Sequence, residues 1–125
     1  MTPIAWQRLE GAVVAAAAYV AVIVLDLAWW WPLALFLTFD LSMAGYAVGA
    51  RAGAALYNAA HNYALPAALG AIALLADLRW MGLLALCWAF HVGADRALGY
   101  GLKLGDGFQH THLGWIGKGA ARSDQ

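Results

Sequence analysis

His91 and Asp95 stand four residues apart in an otherwise apolar run, so on an α-helix they share one face, one turn above the other. An imidazole and a carboxylate so placed can ligate a metal ion or exchange a proton. Further polar groups interrupt the other apolar runs: Glu10, Asp40, Asn58, His61 and Asn62. A charged side chain at the centre of a bilayer costs at least about 2.5 kcal/mol on insertion scales, so such residues are functional suspects. Asp40, His61, His91 and Asp95 are the catalytic candidates. Joined by Glu10 and His112 they form a mixed oxygen and nitrogen ligand set that suits zinc, iron or a two-metal centre. Asn58 and Arg96 are the candidates for contacting a cofactor.

The elements that must position these groups follow from composition. The chain has 125 residues, 64% of them hydrophobic and 11% charged, with mean hydropathy +0.66. A soluble domain carries about 25% charged residues, so part of this surface is expected to face lipid. Four apolar runs, about 9–25, 30–48, 54–76 and 80–100, each approach the roughly 20 residues that an α-helix needs to cross a membrane. The expectation is an all-α fold: an integral membrane four-helix bundle over residues 1–102 and a Gly-rich polar tail over 103–125. The first run lacks a cleavage pattern and reads as a retained helix. Cys87 is the single cysteine, so no intrachain disulfide forms. Net charge is zero and basic blocks are absent, which argues against a nucleic-acid partner.

Basic residues at the span ends set orientation. Arg8, Arg51, Lys103, Lys118 and Arg122 fall on one side, with Arg96 just inside it, and only Arg79 falls on the other. Both termini are therefore expected in the cytoplasm. Trp29, Trp30, Trp31 and Trp80 mark the opposite headgroup layer. At 1.5 Å per residue, Asp40 and His91 come near the midplane, His61 and Asp95 roughly 5–8 Å toward the cytoplasm and Glu10 about 11 Å. Pro66 frees the carbonyl of Asn62 and predicts a kink beside His61. His110 and His112 lie in the tail, and one of them caps the site if the tail folds back.

Blander roles compete with these. Polar side chains also act as glue between membrane helices. Cys87 suits a small core position. Arg96 is long enough to snorkel to the headgroups, the default role expected of it.

Several stretches together resemble a bacterial family of short four-span membrane proteins catalogued as domain of unknown function 4260. They are Arg8-Leu9-Glu10-Gly11, Asp40-Leu41-Ser42-Met43-Ala44-Gly45-Tyr46, Tyr57-Asn58-Ala59-Ala60-His61-Asn62-Tyr63, the segment from His91 to Lys103, and Thr111-His112-Leu113-Gly114. The resemblance implies a shared fold and a place in the bacterial inner membrane; it carries over no activity and no catalytic residue. It favours His112 over His110 as the tail's site residue.

Three functions fit. The favoured one is a metal-dependent membrane enzyme, hydrolase or oxidoreductase, acting on an apolar or lipid-like substrate; the same acid–base pairs also serve without a metal. The second is a haem-binding electron carrier with His61 and His91 as axial ligands. The third is a proton-linked transporter or channel, which with so few spans requires a homo-oligomer.

Overall fold

The computed structural model describes residues 1–122; the end of the tail, 123–125, and the Arg122 side chain invoked for orientation lie outside the described residues. The described residues are all-α apart from one hairpin of two-residue strands and an isolated bridge between Lys103 and Thr111. Helix α1 (Pro3–Val24) starts where Thr2 Oγ1 accepts the Ala5 amide at 3.1 Å and Pro3 occupies the first turn. A four-residue helical turn α2 (Trp31–Ala34) runs into a 3-10 segment, Phe36–Ala47. Then come α3 (Ala50–Ala60), α4 (Ala64–Ala76) and α5 (Arg79–Leu98). Strands β1 (His110–Thr111) and β2 (Gly114–Trp115) pair antiparallel, and a short 3-10 turn, Gly117–Arg122, ends the described chain.

Two helical stretches are long and apolar enough to cross a membrane: Pro3–Val24, with 22 residues, and Ala50–Ala76, with 27. The second contains the α3–α4 break. The expected 30–48 run is not a continuous α-helix; most of it is 3-10.

Helix α1 packs along α5, and the residues it buries are small: Gly11, Ala15, Ala18 and Val22, at helical spacing. At Gly11 and Gly93 the two backbones touch. A Cβ on Gly93 would come 2.6 Å from the Gly11 carbonyl and 2.7 Å from the Ala15 amide nitrogen. This contact fixes α5 along its length, and with it His91 and Asp95. Arg79 ties the other end, donating to the carbonyls of Leu25 and Asp26 beyond α1. Helix α4 packs on another side of α5, and α3 packs against the 3-10 segment.

The α1–α5 contact yields a test. Gly93→Ala should lower stability by about 1–3 kcal/mol, because backbone cannot move aside as a side chain can. Gly70→Ala is the control: its Cβ would meet only the Ala85 methyl, at 3.7 Å. Thermal unfolding in detergent should show a lowered midpoint for the first variant and an unchanged or raised one for the second.

Candidate metal centre

The centre begins at a break in a helix. Helix α3 stops at Ala60 and α4 starts at Ala64, leaving His61, Asn62 and Tyr63 between them. Pro66 has no amide to offer Asn62, which favours interruption here. Side chains take up the backbone groups that the break releases. Asn62 Nδ2 donates to the Asn58 carbonyl at 2.9 Å and to the Ala59 carbonyl at 2.8 Å. Its Oδ1 accepts the amides of Ala64 at 2.9 Å and Leu65 at 3.2 Å. Trp88 Nε1 donates to the Ala60 carbonyl, and Arg96 Nη2 donates to the His61 carbonyl at 2.9 Å. The break is thereby stable without water, and it turns His61 toward α5.

Asp40 arrives by a match of helical rises. The 3-10 segment and α3 form a tight antiparallel pair through Val48 and Gly49. At one end the Tyr46 ring lies on Gly53, where any Cβ would overlap it. At the other, Asp40 Oδ1 is 3.2 Å from His61 Nε2. From Asp40 to Tyr46 is six residues, about 12 Å at the 3-10 rise of roughly 2.0 Å. From Gly53 to His61 is eight residues, also about 12 Å at the α rise of 1.5 Å. With 3.0 residues per turn, six residues bring Asp40 and Tyr46 onto the same face. In an α-helix they would be about 3 Å closer and 120° apart in azimuth. The 3-10 backbone is therefore what lets this run meet α3 at both points.

Four atoms converge: Asp40 Oδ1, His61 Nε2, His91 Nε2 and Asp95 Oδ2, all within 4.8 Å of one another. The His61–His91 nitrogens are 3.0 Å apart. His61 Nε2 is 3.2 Å from Asp40 and 3.4 Å from Asp95, and His91 Nε2 is 3.3 Å and 3.2 Å from the same two oxygens. Four ligands at 2.0–2.1 Å from a tetrahedral ion stand about 3.3 Å apart. Five of the six separations, at 3.0–3.4 Å, are close to that edge, and the two carboxylate oxygens are the pair set wider, within 4.8 Å. His61 Nδ1 faces the Tyr57 carbonyl at 2.9 Å and donates to it, which leaves the Nε2 lone pair pointing inward. His91 Nδ1 is buried and makes no full hydrogen bond, the Phe36 backbone being the polar group that faces it. Tyr57 stacks on His61 with ring centroids 3.7 Å apart, and Phe36 and Phe39 close over His91 at 4.4 and 5.4 Å. The two histidines are almost wholly buried, whereas the Asp40 side chain is 23% exposed. So many facing acceptor atoms require a cation or shared protons between them.

The same distances leave no room for haem. Each carboxylate oxygen is nearly equidistant from both Nε2 atoms, so both oxygens occupy the plane where a macrocycle would lie. Counted along unbroken helices, His61 and His91 differ in depth by about 5–7 Å; the helix break removes that offset.

Other candidates lie elsewhere. Glu10 is exposed and His112 is outside the cluster; both line a small cavity of about 150 Å³ with Gln7, Tyr63 and Arg96. His112 Nδ1 accepts the Leu102 amide at 2.8 Å and Nε2 meets Gln7 at 3.0 Å, so the tail does fold back without bringing its histidine to the centre. His110 pairs with Asp106 at 2.6 Å. Arg96 does not snorkel: it is 6% exposed and holds the carbonyls of His61 and Tyr100. Asn58 holds the Lys103 backbone at both ends, at 2.6 and 2.8 Å. Cys87 is fully buried in the core. The larger cavity, about 600 Å³ and mainly apolar, runs between α4 and α5 past Pro66, Gly70, Gly82 and Ala89. Ala89 and His91 project from largely opposite sides of α5, so this cavity does not lead to the centre.

Sequence reasoning passed over Lys103 as a site residue. It is 3% exposed and its Nζ has no hydrogen-bond partner, lying 4.9 Å from the Tyr57 ring centre and 3.9 Å from that of Phe108. Only a Lys at the end of the last apolar run was visible in sequence; its burial comes from the returning tail.

Two outcomes test this description. Asn62→Ala removes the groups that serve both sides of the break and should cost about 2–3 kcal/mol, read by thermal unfolding beside Asn62→Asp. For Lys103, burial pushes the ammonium from 10.5 down to about 8, against the upward pull of Asp95 and Asp40. Between those values the unfolded chain holds a proton that the folded chain has lost, so this group adds stability as pH rises. The wild type should therefore gain on Lys103→Met in thermal midpoint from pH 8 to 10.5, having started below it.

A family model described as Domain of unknown function (DUF4260) matches residues 4–116. No curated protein and no solved structure matches the chain. The match takes in every residue of the four-atom centre, the α1–α5 contact and the returning tail, and the chain belongs to the DUF4260 family.

Proposed function

We propose that the protein is a multi-pass enzyme of the bacterial inner membrane that binds one divalent transition ion, zinc or iron, through Asp40, His61, His91 and Asp95. The observation that carries this reading is the convergence of four ligand atoms from Asp40, His61, His91 and Asp95 within 4.8 Å of one another, each imidazole nitrogen 3.2–3.4 Å from both carboxylate oxygens. Membrane insertion is supported by large apolar side chains open to the surroundings, among them Val48 at 85%, Leu74 at 86% and Leu75 at 90% exposure. Four crossings are then made by α1, by α2 with the 3-10 segment, by α3 with α4, and by α5, with both termini cytoplasmic.

A bound ion supplies Lewis acidity or, with iron, a redox couple inside the apolar layer. The chain's own residues do the rest. Two carboxylates balance the charge of a divalent ion, so it can be held where the dielectric is low. The hydrogen bond to the Tyr57 carbonyl fixes the tautomer and direction of His61. Asp40 is the outward member and can hold a proton next to an incoming molecule. Leu37 and Leu41 flank it at 73% exposure, so an apolar or lipid-like substrate reaches the centre along the 3-10 segment.

One observation favours a second reading. Two imidazoles 3.0 Å apart between two carboxylates also form a proton-sharing cluster, suited to acid–base chemistry or to proton-linked transport in an oligomer. Elemental analysis of the detergent-purified protein separates the two. The enzyme reading expects about one zinc or iron per chain in the wild type and nearly none in His91→Ala or Asp95→Asn. No stoichiometric metal in the wild type would overturn it and leave the proton-sharing reading, to be tested by proteoliposome flux in wild type and Asp40→Asn.

A further inference from the structure

Lys103 is a buried ammonium without an acceptor, in a place the fold defines closely. Its backbone is clamped by Asn58 at 2.6 and 2.8 Å and bridged to Thr111 of the hairpin. Its aliphatic stem is carried inward under Phe108, and its Nζ ends between the rings of Tyr57 and Phe108. A second donor on the same aromatic cover is also unserved: the Tyr46 hydroxyl is buried without a partner, and its ring meets Phe108 edge-on at 5.4 Å. Among the described residues neither of these two buried donors around the Phe108 ring has an acceptor.

The two rings give the ammonium cation–π contacts but no hydrogen bond. An aliphatic residue would fill the space between two rings without the desolvation penalty of an ammonium. Asp95 and Asp40 act on Lys103 through space and are not hydrogen-bonded to it. The cover is one side chain on a loop: Phe108 is 42% exposed, and beside it Gly107 has nothing within 4 Å of its would-be Cβ. Swinging Phe108 outward uncovers Nζ on the side of Tyr57 away from the His61 stack.

We propose that Lys103 and Tyr46 form an anion subsite beneath Phe108 that takes a carboxylate or phosphate, and so select an anionic amphiphile as the molecule presented to the four-residue centre. The class of substrate rests on the enzyme reading above; the subsite itself does not. Lys103 supplies the charge, Tyr46 a hydrogen bond, and Phe108 is displaced as the anion enters. The polar end of the ligand then lies at the tail and its remainder is directed toward the centre.

The test is calorimetric titration of metal-free, detergent-solubilised full-length protein with inorganic phosphate and with acetate at low ionic strength. Saturable binding is expected in the wild type, roughly tenfold or more weaker in Lys103→Met, retained within a few fold in Lys103→Arg, and weakened by Tyr46→Phe. Lys103→Met loses a burial penalty and should fold; Tyr46→Phe decides the matter if it does not. Micelles doped with phosphatidic acid distinguish the sources: binding there but not to free anions assigns a lipid headgroup, and binding to both assigns a soluble anion. Absence of binding to any of the three probes, or equal binding by wild type, Lys103→Met and Tyr46→Phe, would overturn the subsite. Metal content is measured on the same protein as purified, before the metal is stripped for titration. Lys103-dependent anion binding without metal upholds the subsite and sinks the enzyme reading, whereas stoichiometric metal with no anion binding does the reverse.

Discussion

The interruption between α3 and α4 is the constraint on which the rest of the structure depends. Backbone groups released among packed apolar side chains have little access to water, and each one left alone costs free energy, on the order of 1–3 kcal/mol. Asn62, Trp88 and Arg96 take up the released groups from both sides of the break. Two of those three side chains belong to α5, the helix that also carries His91 and Asp95. Satisfying the break and bringing the two histidines together are therefore one packing event. Arg96, which looked like an interfacial anchor, is a strut between the break and the end of α5.

The 3-10 segment answers a different requirement. Its dihedral geometry is a poorer one for hydrogen bonding than the α-helix, and runs of this length are uncommon. What it gains is length and phase. Tyr46 lies on Gly53 while Asp40 reaches His61, and an α-helical version of the same residues would miss one of the two. The ring-lined approach to His91 comes from the same segment, because Phe36 and Phe39 eclipse one another at a spacing of three.

Much of the centre was legible in the sequence because ionisable residues inside apolar runs are conspicuous. Asp40, His61, His91 and Asp95 could be named from that alone, and the i, i+4 relation of His91 and Asp95 survives in three dimensions at 3.2 Å. Glu10 and His112 were named by the same reasoning and lie elsewhere, since depth along a helix does not fix azimuth. The 3-10 geometry was hidden because Phe, Leu and Ala favour no 3-10 turn over an α one. Pro66 did announce a disturbance near His61, but the full break depends on partners in α5 that no local pattern reveals. Lys103 was the most concealed: its burial is made by Asn58, 45 positions earlier, and by a hairpin too short to carry a strand signal.

The backbone contact between Gly11 and Gly93 has a bearing on the order in which the protein is made. It joins the first helix to the last, so it is among the longest-range contacts in the chain by sequence separation. While the ribosome is still adding α5, Asp40 and His61 are already synthesised, but the facing pair is not. Closing so long a loop is slow relative to forming the local 3-10 and α3 hairpin. The hairpin therefore precedes the whole centre, and the nascent protein passes through a stage in which Asp40 and His61 are made while Trp88 and Arg96, the α5 partners of the break, are still to come.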